Sequence, residues 1–171
     1  IPPRDCALIE PMSVASCGFQ AQVTDIDIVM VIGCGMIGMG AIVRSALRGA
    51  TVIAVDLDDE KLELAKRISA HHTINSMTEN VHECLTKITE GLGPDVVIEA
   101  VGSPATYVMA VNEVGFTGRV VCIGYANQKF LFKLNILSRK NLISADHVMH
   151  CPQISEQLSA TWNKVLAQKM N

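Results

Sequence analysis

The segment Val31-Ile32-Gly33-Cys34-Gly35-Met36-Ile37-Gly38 sets a G-x-G-x-x-G pattern directly after an apolar run and directly before a helix-like one. No other feature restricts the fold so strongly. Glycines at this spacing, between a strand and a helix, suit the first turn of a dinucleotide-binding βαβ unit. Gly33 permits the tight turn, Gly35 lets the backbone approach a pyrophosphate, and Gly38 lets the helix lie close on the sheet. Met36 and Ile37 open the helix, so their N–H groups and the positive end of the helix dipole face an anion.

The rest of the chain from Asp27 continues the same rhythm. Apolar runs at Ile28–Ile32, Thr51–Val55, 73–74, Val96–Glu99 and 119–123 alternate with amphipathic stretches at 36–48, 58–68, 81–89 and 104–112. That order predicts an α/β fold: a Rossmann-type doubly wound parallel sheet, here lacking its last strand or strands. Gly49 stops the first helix. Asp58 or Asp59 caps the second, whose Leu62, Leu64, Ala65 and Ile68 are expected to face inward while Lys61, Lys66 and Arg67 join its solvated face. Pro104 suits the first turn of the fourth helix. The chain divides into a connector over residues 1–22, with a short helix near Ser13–Phe19, a Rossmann domain over 23–128 and an atypical tail over 129–171.

Asp56 stands 18 residues past Gly38, at the end of the second apolar run. A carboxylate there accepts hydrogen bonds from the adenine-ribose hydroxyls and repels a 2′-phosphate. Leu57 supplies no compensating cation, so the reading is NAD in preference to NADP. An S-adenosylmethionine site also uses a glycine turn and an acid after the second strand; the third glycine and the wholly apolar first strand favour the dinucleotide.

Bulk properties exclude several classes. With 49% apolar and 18% charged residues the chain has the makings of a packed core. A net charge of −3 without clustered Lys or Arg gives no footprint for nucleic acid. The charge-free run Ile28–Val43 is broken by four glycines and falls short of the ~18 residues of a membrane span. Cys6, Cys17, Cys34, Cys84, Cys122 and Cys151 form no C-x-x-C pair, which suits free thiols in a reducing cytoplasm. No leader of secretory type is visible, so the expected location is cytoplasmic.

With this unit placed, the chain resembles the cofactor domain of the medium-chain zinc-dependent alcohol dehydrogenases, in the branch of sorbitol, polyol and sugar-acid (galactonate-type) dehydrogenases. The resemblance rests on Ala7-Leu8-Ile9-Glu10-Pro11, the Gly33–Gly40 loop, Ala54-Val55-Asp56, Gly93-Pro94-Asp95-Val96-Val97-Ile98-Glu99 with Val101-Gly102, and Gly118-Arg119-Val120-Val121-Cys122-Ile123-Gly124. It implies hydride transfer between a secondary alcohol and NAD, with zinc polarising the alcohol oxygen. It also implies that Val101 and Gly102 line the cofactor groove, that Gly124 lies near the nicotinamide, and that Glu10 coordinates zinc directly or through its water.

In the family the remaining zinc ligands, a Cys and a His–Glu pair, come from an amino-terminal catalytic domain of roughly 150 residues. A catalytic zinc needs about three protein ligands, so this chain is expected to bind NAD and turn over little or nothing by itself. Among the five histidines, His71 and His72 read as turn residues and His82 as an exposed helical one. Asp146, His147, His150 and Cys151 have metal-like spacing but fall in the tail, which loses the family pattern near Lys129. Codons can be chosen there so that a one-base displacement encodes VSFQTKYFVQKELDIRGSRNALPADF, a stretch of family type; a frameshift is the expectation. Loss of the last strand would expose a sheet edge and favour self-association. Two further readings stay open: a stand-alone NAD-binding regulatory module, and an S-adenosylmethionine-dependent methyltransferase core.

Overall fold

The computed structural model describes residues 22–124. Strands β1 (Ile28–Ile32), β2 (Thr51–Asp56), β3 (His72–Asn75), β4 (Val96–Glu99) and β5 (Arg119–Cys122) alternate with helices α1 (Met36–Leu47), α2 (Asp59–Ile68), α3 (Val81–Ile88) and α4 (Pro104–Glu113). All pairings are parallel and the order is β3-β2-β1-β4-β5. The chain thus winds outward from β1 in one direction and then, from β4, in the other. The reversal leaves a crevice between the C-terminal ends of β1 and β4, where sheets of this type take their ligands.

Alternation along each strand builds two cores. Met30, Ile32, Ile53, Val55, Val97 and Val120 pack with Leu85, Tyr107 and Val111 of α3 and α4. Val29, Val31, Val52, Ala54, Ile98 and Val121 pack with Ala41, Ile42, Leu62 and Ala65 of α1 and α2. The central strands are buried on both faces, so their sequence reads as continuous β-branched runs.

The helix starts follow from local chemistry. Asp58 accepts from Glu60 N, Asn80 from Glu83 N and Ser103 from Thr106 N, each satisfying an N–H that the helix itself leaves unpaired. Gly49, at φ +90°, lets the chain turn from α1 into β2. The α2 face differs from the expectation: Leu62 and Ala65 are buried, whereas Leu64 and Ile68 are 41% and 38% exposed. A two-residue stripe suffices because this short helix packs mainly on β2 and β3 near the sheet edge. The connector helix near Ser13–Phe19 and the tail from Lys129 lie outside the described residues.

Candidate functional site

The glycine loop occupies the crevice. Gly33 has φ +94° and donates its N–H to Val55 O at 2.8 Å, tying the end of β1 to β2. A Cβ on Gly38 would collide with Gly33 O, so α1 lies against the loop backbone as closely as glycine allows. A Cβ on Gly35 would meet no atom of the described residues within 4 Å. The space beside Gly35 is therefore open to a ligand.

Gly35 is the N-cap of α1, with no side-chain cap and no acidic residue in the first turn. The other three described helices are all capped by side chains. The N–H groups of Met36, Ile37 and Gly38, at the positive end of the helix dipole, are thus presented to an anion such as a pyrophosphate.

Asp56 stands at the end of β2, beside the loop. Its Oδ2 accepts from Cys34 N at 2.6 Å, and its Oδ1 accepts from Leu57 N at 2.8 Å and Asp58 N at 3.1 Å. The acid at the end of β2 thereby shapes the glycine loop it accompanies. Lys61 Nζ lies 3.9 Å from Asp56 Oδ1 and 3.8 Å from Asp58 Oδ2. Lys61 is thus on the exposed face of α2, as expected, and it also brings a cation near Asp56 that the reading from Leu57 alone missed. A Lys five residues past a strand-end acid, in the first turn of the next helix, is the pattern that would have revealed it.

On the other side of the crevice, Val101 is half exposed and Gly102 has φ +81°. Val101 Cγ2 lies 2.6 Å from the point that a Gly33 Cβ would occupy, and a Gly124 Cβ would collide with Gly102 N. Gly33, Val101, Gly102 and Gly124 are thus brought together at one end of the sheet, with Asp56 and the start of α1 alongside.

Cys34, inside the glycine motif, is buried, and its thiol is pushed up to about 12 by desolvation first and by the Asp56 charge second. It remains protonated and inert at neutral pH.

No three His, Cys, Asp or Glu side chains among the described residues are placed to hold a metal. His71 Nδ1 accepts from Val52 N at 3.0 Å, and His82 Nδ1 lies 2.8 Å from Glu113 Oε2. Glu10, Asp146, His147, His150 and Cys151 lie outside the described residues. The described part of the chain does not fit a catalytic zinc.

A groove of about 310 Å³, lined in part by Leu85, Thr89, Leu92, Glu113 and Phe116, opens at the opposite, N-terminal end of β4 and β5. The buried Thr89 hydroxyl there already donates to Leu85 O and accepts from Gly93 N, so it has no proton left to give a ligand. The crevice above the C-terminal strand ends is the better-equipped concavity.

Residues 37–165 match the family model described as "Zinc-binding dehydrogenase", a span that takes in much of the stretch after Lys129. The chain is 33% identical over 140 residues to an erythritol/L-threitol dehydrogenase of Mycolicibacterium smegmatis, covering 81% of this chain and 39% of that protein. It is 32% identical to a sorbitol dehydrogenase of Bacillus subtilis, covering 73% and 36%. Among solved structures, an alcohol dehydrogenase from Thermus sp. ATN1 superposes with a TM-score of 0.77 at 32% identity, covering 90% of this chain and 44% of that one. The chain thus spans roughly two fifths of the length of the curated relatives it matches.

Proposed function

The chain belongs to the zinc-binding dehydrogenase family, and from that premise we propose that residues 22–124 form the NAD-binding part of an enzyme that moves hydride between a secondary alcohol and NAD. The names of its relatives favour a polyol or sugar-derived substrate. The observation that carries the cofactor reading is the pairing of Asp56 with the glycine loop. A ribose-binding carboxylate and an uncapped helix start, joined by the Cys34 N to Asp56 hydrogen bond, form one continuous surface of the right chemistry for an adenosine diphosphate.

On this reading Asp56 accepts from the ribose hydroxyls, and the N–H groups of Met36, Ile37 and Gly38 hold the pyrophosphate beside Gly35. Val101, Gly102 and Gly124 line the nicotinamide half. Bound NAD supplies the hydride-accepting carbon, and the protein supplies position and charge. Zinc and the alcohol are assigned to residues other than 22–124, with Glu10 as one ligand of the metal. A cytoplasmic location and a homo-oligomeric assembly belong to the same proposal. Among the described residues no helix is long and apolar enough to cross a membrane.

Calorimetric titration of the 171-residue chain with NADH, NADPH and S-adenosylmethionine tests the reading. Binding of NADH with weaker NADPH and no S-adenosylmethionine is the expected result. Preferential S-adenosylmethionine binding would establish the methyltransferase alternative instead.

A further inference from the structure

The side chain of Glu99 is fully buried at the C-terminal tip of β4, level with Ile32 of β1 and Cys122 of β5. Its two oxygens are used very differently. Oε1 accepts from Val101 N at 2.9 Å, Gly102 N at 2.8 Å and the Thr106 hydroxyl at 2.8 Å. Oε2 has no hydrogen-bond partner among the described residues. The main-chain oxygen of the same residue accepts from Ile123 N at 2.7 Å and Gly124 N at 3.0 Å.

A buried carboxyl group is costly unless its hydrogen bonds recover the lost hydration, and the three donors gathered on Oε1 are what recovers it here. Capping of α4 does not require Glu99. Ser103 and Thr106 already form a reciprocal capping box at that helix start. What Glu99 holds is the turn ahead of the helix, Val101-Gly102, whose two successive N–H groups converge on Oε1.

That turn has no slack. It is wedged between Gly33, where a Cβ would lie 2.6 Å from Val101 Cγ2, and Gly124, where a Cβ would strike Gly102 N. Three turns, above β1, β4 and β5, are therefore packed together, Gly33 against the Val101 side chain and Gly124 against the Gly102 backbone, and Glu99 grips the second by its side chain and the third by its carbonyl. Asp56 stands on the β2 side of the crevice and takes the adenosine end, so a dinucleotide crossing the switch point lays its other half over β4 and β5.

We propose that Glu99 is a positioning residue for the nicotinamide half of the bound dinucleotide: its carboxylate fixes the Val101-Gly102 turn, and through it the spacing of the three turns on which that half rests. This role depends on the NAD reading above. It assigns Glu99 no contact with the cofactor, and it predicts that the two halves of the ligand respond differently to its loss.

The test compares the 171-residue chain with Glu99→Gln, Glu99→Asp and Glu99→Ala by calorimetry, using NADH and ADP, with melting curves as the control for folding. The wild type is expected to bind both ligands. Glu99→Gln keeps an acceptor at the Oε1 position and should stay within about threefold of wild type for NADH. Glu99→Asp withdraws the carboxylate by one methylene and keeps the charge; it should lose about tenfold for NADH while ADP changes by less than about twofold. Glu99→Ala should show the same selective loss if it folds, and Glu99→Asp carries the test if it does not. Equal losses for NADH and ADP, or an unchanged NADH affinity in Glu99→Asp, would overturn the role of Glu99. A wild type that binds neither ligand would overturn the NAD reading and this inference together.

Discussion

Asp56 orders the glycine loop through Cys34 N and turns the chain into α2 through Leu57 N and Asp58 N. On the proposed reading the same carboxylate is also the acceptor at the ribose position. Hydrogen bonds to a charged group contribute about 1.5–3 kcal/mol each, and 1.4 kcal/mol is tenfold in affinity. Asp56→Asn should therefore weaken NADH roughly 10- to 100-fold. It should weaken NADPH much less, because the repulsion of the 2′-phosphate disappears and Lys61 is freed from its carboxylate. Parallel titrations of the two cofactors read the ratio directly. Cys34 gives a pH prediction at the same scale. An acid held protonated in the fold, with its thiol at about 12 against 9.0 for the ordinary value, binds its proton more tightly folded than unfolded. Its contribution is complete below about pH 9 and falls by about 1.4 kcal/mol per unit as the pH rises from there toward 12. Urea melts between pH 8 and 10.5 should show that decline, and Cys34→Ala should flatten it.

At the scale of the element, the strand–loop–helix unit from Ile28 to Leu47 separates two demands that the motif merges. Gly38 is needed by the fold, since a Cβ there strikes Gly33 O, while Gly35 is, on the proposed reading, needed by the ligand, since a Cβ there meets no atom of the described residues within 4 Å. Gly38→Ala should lower stability by about 1–3 kcal/mol, the usual cost of overpacking. Gly35→Ala should leave the melting temperature nearly unchanged and still weaken NADH, because the new methyl occupies the pyrophosphate's place. Thermal melts paired with titrations distinguish the two. The unit was legible in the sequence because strand period, glycine spacing and the acid at the end of β2 are all local. So were the strands and helix starts, since caps and β-branched runs lie within a few residues. Lys61 and Glu99 were not. The reach of Lys61 back over Asp56 depends on how the first turn of α2 docks, and Glu99 ends an apolar strand whose pattern says nothing of the donors that the following turn will aim at it. Leu64 and Ile68 misled for a related reason: periodicity marks an apolar stripe, and the width of the neighbouring sheet decides how much of it is covered.

For the whole molecule, two expectations from the sequence stand as proposals. A displaced reading frame near Lys129 predicts that the encoding DNA, shifted by one base there, reads as a continuous family-type stretch; an uninterrupted frame shared with intact relatives would remove the idea. The second concerns activity, and follows from how the labour divides. On the proposed reading the crevice at the switch point supplies the groups that hold an adenosine diphosphate, and the packed turns over β4 and β5 supply a bed for the nicotinamide. Neither polarises an alcohol. In the zinc-type dehydrogenases the alcohol oxygen is activated by a metal with about three protein ligands, and the described residues bring no such set together. Binding and chemistry should therefore come apart in this chain. The purified 171-residue chain, loaded with zinc, should bind NADH in the titration yet reduce no NAD at 340 nm with sorbitol, erythritol or galactitol. Polyol-dependent reduction that tracks the chain through purification and is abolished by Asp56→Ala would show that residues beyond 22–124 complete a working centre.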